Sequence, residues 1–183
     1  MTAPIIGAII YDTKDFPNEV MDDVVARLRA DNVRLGGVHQ RRRPGSVSKC
    51  DVDLEELSSG AKFHIYEDRG KDARGCKLDT SVFADVASHA AQGLQSQPDL
   101  VLINKFGKEE AEGRGLLDIL SGAVSDGIPL LICVPARNLD AWNDFAGDYA
   151  MKLRPDRDAI LKWTRAALSM AGSRGASPPI AMG

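Results

Sequence analysis

Apolar residues in this chain gather into three nearly unbroken runs: Ile5–Tyr11 (IIGAIIY), Leu100–Asn104 (LVLIN) and Pro129–Val134 (PLLICV). A strand apolar on successive residues is buried on both faces, as strands of a parallel sheet are. The three are therefore expected side by side in the middle of one sheet. Between them the spacing turns helical. Val20, Val24 and Leu28 follow Pro17, which suits a first helical turn because it has no N–H to leave unsatisfied. Val82–Leu94, opened by Asp79 or Thr80 as cap, predicts a second helix, and Gly115–Ser125 a third. Asn138 is placed to cap a short helix through Phe145, and Pro155 opens a last one carrying Ile160, Leu161, Trp163 and Leu168. Val33–Gln40 reads as a strand whose Gly36-Gly37 lets another backbone come close. Asp51–Leu57 and Lys62–Glu67, split by Ser58-Ser59-Gly60, read as a hairpin, and Tyr149–Leu153 as a final short strand. Strand and helix alternate, which predicts an α/β fold: one mostly parallel sheet, helices on both faces and an inserted β-hairpin. Residues 1–171 are expected to form a single domain and 172–183, small and proline-containing, a flexible tail.

Composition narrows the function classes. The net charge of −3 supplies no field for nucleic acid or an anionic membrane. Aromatic residues are 5% of the chain and do not interleave with basic ones, so no base-stacking platform is expected. No apolar run has the length of a membrane span, and the N-terminus lacks a basic leader region, so a cytoplasmic bacterial protein is expected.

Open α/β sheets place ligands at the carboxyl ends of their strands. Two such ends carry candidate chemistry. After the first strand come Asp12, Thr13 and Lys14, at the start of a helix whose N-terminus is a weak anion site. After the central strand come Asn104, Lys105 and Lys108, with the two lysines either ordinary surface groups or contacts to an anion. The two loops are expected to converge. The run Arg41-Arg42-Arg43 is expected as a solvated loop, with the alternative that it, His39 and Lys49 form the rim of the same site. His39 itself is expected at the surface. Cys50 and Cys76 are expected to be small buried hydrophobes; the alternative is a thiol pair, oxidised or holding a soft metal. As a disulfide their Cα atoms would have to lie within roughly 7 Å. Cys133 belongs to a core strand. The residues name no cofactor, no zinc site, no nucleophile elbow and no dinucleotide fingerprint.

The runs PDLVLINKFGKEEAEGRGLLDIL and GIPLLICVPARNLDAWNDFAG resemble the small P-loop nucleoside-triphosphatases first described from thermophiles. The Cys50-Asp51 segment, Arg74-Gly75-Cys76-Lys77-Leu78-Asp79 and Asn104-Lys105-Phe106-Gly107-Lys108 are more similar to a sister family in the P-loop NTPase clan. That family is a bacterial domain of unknown function often encoded near molybdate-transport genes. The resemblance implies a P-loop-like fold over about residues 5–170. The chain departs from the triphosphatase pattern at both working points. The first loop has no glycine and no Gly-Lys-Ser/Thr, and its Asp12, Asp15 and Glu19 would repel a triphosphate. Asn104 and Lys105 stand where the triphosphatases carry an acidic pair that would hold magnesium and polarise water. The expectation is a catalytically degenerate protein that binds a small anion, either a nucleotide or an oxyanion. A link to molybdate is implied by the resemblance alone. Two alternatives stand beside it: an active nucleoside-triphosphatase using Lys14, Asp12 and Lys105, and an adaptor binding a protein through the hairpin and basic run. A homodimer, paired through an edge strand, is a further expectation.

Overall fold

The computed structural model describes residues 5–12, 14–46, 48, 50–67 and 75–175. Thr13, Lys49 and Arg74, singled out above, lie outside the described residues. Seven strands form one sheet in the order β4-β3-β2-β5-β6-β1-β7. They are β1 (Ile6–Tyr11), β2 (Leu35–Arg42), β3 (Val52–Glu56), β4 (Lys62–His64), β5 (Leu100–Ile103), β6 (Leu130–Pro135) and β7 (Ala150–Leu153). Pairing is parallel from β2 through β5, β6 and β1 to β7, and antiparallel only in the hairpin strand β3 against β2 and β4. As predicted, β5, β6 and β1 are neighbours inside the sheet and none lies at its edge.

Period-two alternation sorts the strand residues between two cores. Val101 and Ile103 of β5, with Ile6, Ala8, Leu130 and Ile132, face the helices α2 (Thr80–Gln95), α4 (Leu117–Ser125) and α5 (Leu139–Ala146). Leu100 and Leu102, with Ile9, Leu131 and Cys133, face α1 (Asn18–Ala30) and α6 (Arg157–Gly175). Both faces are covered, which is why the strand runs contain so few polar residues.

Local chemistry explains the element ends. The Asp79 carboxylate accepts from the Ser81 and Val82 N–H groups and so caps α2. Asp156 accepts from the Ala159 N–H at the start of α6. Asn138 precedes α5, but its amide donates to the Phe106 carbonyl at 2.8 Å and ties the β5 turn to β6 instead of capping. Gly37 has φ +92, and a Cβ there would lie 2.2 Å from the Leu102 carbonyl oxygen, so the close approach of β2 and β5 requires glycine.

Three expectations are corrected. Arg41 and Arg42 continue β2 and are not loop, because they pair with Asp53 and Val52 of β3, and Glu55 meets the charge of Arg41. Residues 172–175 continue α6, so no tail begins at 172. A separate one-turn helix, α3 (Lys108–Ala111), precedes α4, which begins at Leu117 and not at Gly115.

Candidate functional site

The carboxyl ends of β2 and β5 bound a cavity of about 220 Å³ on the α2 side of the sheet. Val38, Leu54, Ile65, Leu78, Phe83 and Leu116 make its walls apolar. Its polar groups come from the turn after β5 (Asn104, Lys105, Lys108, Glu109, Glu110), from Gln40 of β2, from Tyr66 and from Arg137 after β6. A wider, more open depression of about 530 Å³ lies at the opposite, amino end of the sheet. Its main charges, Arg34 and Asp99, neutralise one another at 2.7 Å.

The cavity's charges are not balanced in the same way. Glu110 is buried, and its carboxylate accepts from the Gly107 and Leu116 N–H groups at 2.8 and 3.0 Å, so it joins α3 to α4. Burial raises its pKa, against the pull of these N–H groups. Glu109 pairs with Arg114 at 3.0 Å, and the exposed Lys108 faces Glu112 at 3.7 Å. Lys105 is half-buried and Arg137 exposed. Among the described residues neither forms a salt bridge or side-chain hydrogen bond, so two cations face the cavity without a counter-ion. Burial depresses the Lys105 ammonium pKa, and the nearby Arg137 charge depresses it further, with Glu110 opposing. Burial likewise raises the Tyr66 phenol, with Arg137 opposing.

In the described part of the first βα loop, three N–H groups bond within the loop itself. Lys14 N–H reaches the Asp12 carboxylate at 3.3 Å, Asp15 N–H the Asp12 carbonyl at 2.9 Å, and Asn18 N–H the Phe16 carbonyl at 2.8 Å. Phe16 packs edge-on against Tyr11 with ring centroids 5.2 Å apart. Asp12 and Lys14 are exposed and neither lines the cavity. The structure thus brings together Asn104, Lys105 and Lys108 but not the first loop. Arg137 and Tyr66 join them. Neither was singled out in the sequence, and only the adjacency of β5 and β6 could have pointed to Arg137.

The residues suggested as a rim behave differently. His39 is fully buried, correcting its expected place at the surface. It sits on the α1 side of β2, bonded through Nε2 to Asp22 at 2.6 Å and through Nδ1 to Asn104 at 3.3 Å. Arg41 lies 3.0 Å from the Glu55 carboxylate, and Glu55 also holds Arg29 at 2.7 Å. Arg43 holds Asp53 at 2.9 Å. These arginines line a separate depression of about 140 Å³ with Arg42, Pro44 and Lys62, and do not reach the first cavity. The expectation that Cys50 and Cys76 are free and buried is also corrected. They are bonded as a disulfide with Cα atoms 5.3 Å apart, and both keep some exposure. The bond sits beside the cavity wall, where Tyr66 pairs with Leu78 and Glu67 holds Lys77 at 2.8 Å. Cys133 is free and buried.

Among the described residues no group of three or more His, Cys, Asp or Glu could hold a metal ion. No helix among them is long and apolar enough to cross a membrane.

Comparison with known proteins matches this geometry to a fold. The solution structure of a human cancer-related nucleoside triphosphatase superposes with a TM-score of 0.60 at 11% identity, over 95% of this chain and 99% of that one. The architecture is P-loop NTPase-like. The molybdenum import ATP-binding protein ModC 2 of Bradyrhizobium diazoefficiens is 35% identical over 161 residues, which are 87% of this chain. The chain spans only 18% of that relative's length. The profile of the DUF2478 family, described as a protein of unknown function, matches residues 6–163, and the chain belongs to this family.

Proposed function

We propose that this domain binds a small anion, a nucleotide or an oxyanion, in the cavity at the end of β5, and that it does not hydrolyse nucleoside triphosphates. The observation that carries the reading is the pair Lys105 and Arg137, two cations facing one partly apolar cavity with no salt-bridge partner among the described residues. An anion seated between them would relieve their repulsion and restore the Lys105 proton affinity. Hydrogen bonds between charged groups and a shielded anion are worth roughly 1.5–3 kcal/mol each. The absence of hydrolysis rests on two losses. Three N–H groups in the described part of the first loop are spent on Asp12 and Phe16, and Asn104 offers an amide where magnesium would need a carboxylate. The relative's printed role in molybdenum import puts molybdate among the oxyanions to test.

Thermal shift with ATP, GTP, inorganic phosphate and molybdate tests the reading. A ligand at a hundred times its Kd stabilises by about 2.7 kcal/mol, which moves Tm by roughly 5–10 °C in a chain of this size. Lys105→Ala should weaken the best of these at least tenfold, and phosphate release from ATP should not exceed the blank. Lys105-independent binding moves the site elsewhere and favours the adaptor reading. Turnover lost in Lys14→Ala favours the triphosphatase.

A further inference from the structure

The floor of the cavity carries a hydrogen-bond acceptor whose identity the surrounding bonds fix. Asn104 lines the cavity and is 3% exposed. Its Nδ2 lies 3.2 Å from the Gln40 carbonyl oxygen, and a carbonyl only accepts, so this end of the amide is the nitrogen. The same nitrogen lies 3.3 Å from His39 Nδ1. An amide nitrogen only donates, so Nδ1 is the unprotonated nitrogen of a neutral ring. The ring proton is then on Nε2, donated to Asp22 Oδ1 at 2.6 Å. Burial of His39 favours the same neutral form. Both Asn104 N–H groups are thus used, and among the described residues its Oδ1 has no partner. This oxygen is not among the fully buried unpaired atoms, and Asn104 lines the cavity, so a ligand donor can reach it.

We infer that the cavity selects an organic anion that donates an N–H or O–H from its apolar end to Asn104 Oδ1 while its charged end meets Lys105 and Arg137. This rests on the anion site proposed above and narrows it, since a bare oxyanion would leave both the apolar walls and the Asn104 acceptor unused. The volume of about 220 Å³ is below the roughly 300–1,000 Å³ of pockets for drug-sized ligands, so the body has one or two rings and the charge sits at the mouth. His39 and Asp22 are positioning residues. They hold the Asn104 amide in one of its two orientations without touching the ligand.

Calorimetric titration of the whole protein separates the possibilities. The probes are uridine and guanosine 5′-monophosphate, each with a ring N–H donor, their N3-methyl and N1-methyl derivatives, and inorganic phosphate. At least one unmodified nucleotide should bind ten times more tightly than phosphate. Its methylation should cost about tenfold, the scale of one hydrogen bond with its partner left unpaired. Asn104→Leu should erase the difference between the nucleotide and its methylated form. Asp22→Asn, at a solvent-facing position, should narrow the same ratio with phosphate affinity unchanged, which a merely structural role would not do. The methylated pairs are read on the wild type, so a poorly folding variant does not remove the test. Lys105-dependent binding of phosphate equal to that of both nucleotides overturns the inference and keeps the anion site. Equal affinity for methylated and unmethylated forms overturns it too. Binding of neither phosphate nor any nucleotide overturns both.

Discussion

Reduction of the Cys50–Cys76 bond is expected to loosen the cavity wall before it unfolds the chain. The bond closes a loop of sequence separation 26 that contains the whole β3–β4 hairpin. In the chain-entropy account a loop of that length restrains the unfolded state by about 3.5 kcal/mol at 25 °C. For a domain whose total stability is about 5–15 kcal/mol this is a large share, and it corresponds to roughly 7–14 °C in Tm. The Tyr66–Leu78 bridge and the exposed Glu67–Lys77 pair hold that wall of the cavity, and an exposed pair is worth about 0–1 kcal/mol. The assay is urea denaturation of the wild type with and without dithiothreitol, beside Cys50→Ser and Cys76→Ser. Both variants and the reduced wild type should share one lowered midpoint, and the variants should be indifferent to reductant. Hydrogen exchange should quicken first at Tyr66 and Leu78. Coincident midpoints for oxidised and reduced wild type would refute the reasoning.

Gly37→Ala should destabilise by about 2–5 kcal/mol, combining a positive φ with overpacking against the Leu102 carbonyl, measured by chemical denaturation. Glu110→Gln should cost about 1–3 kcal/mol, because an amide nitrogen would be turned toward the Gly107 or Leu116 N–H, and the loss should appear in the denaturation midpoint. His39 has its pKa lowered by burial, with Asp22 and Glu55 opposing and Arg41 reinforcing. The unfolded chain then binds the proton first, so this stability is present above the unfolded histidine pKa of about 6.5 and is lost as pH falls toward the folded value. His39→Gln should flatten that part of the pH–stability profile.

The fold class was legible in the chain because burial on both faces leaves a one-dimensional mark. Ile5–Tyr11, Leu100–Asn104 and Pro129–Val134 have few polar positions, and only interior parallel strands tolerate that. Caps such as Asp79 were readable for a similar reason, since the bond spans two or three residues. Asn104, Lys105 and Lys108 could be picked out because a strand end followed by a polar turn is local in sequence. What surrounds them was not local. Arg137 reaches the cavity only because β6 lies beside β5, and Tyr66 because the hairpin extends the sheet beyond β2. The basic run looked like a solvated loop because its partners Glu55 and Asp53 lie on a neighbouring strand, visible only once register is set. His39 looked exposed because a buried histidine differs from a surface one only by its partners, and these come from α1 and β5. The Cys50–Cys76 pairing likewise depends on where the hairpin returns. Periodicity and capping record how each residue meets solvent and its near neighbours. Charge pairing, cavity walls and the proton position on His39 depend on distances between strands far apart in the chain, and these exist only in the folded protein.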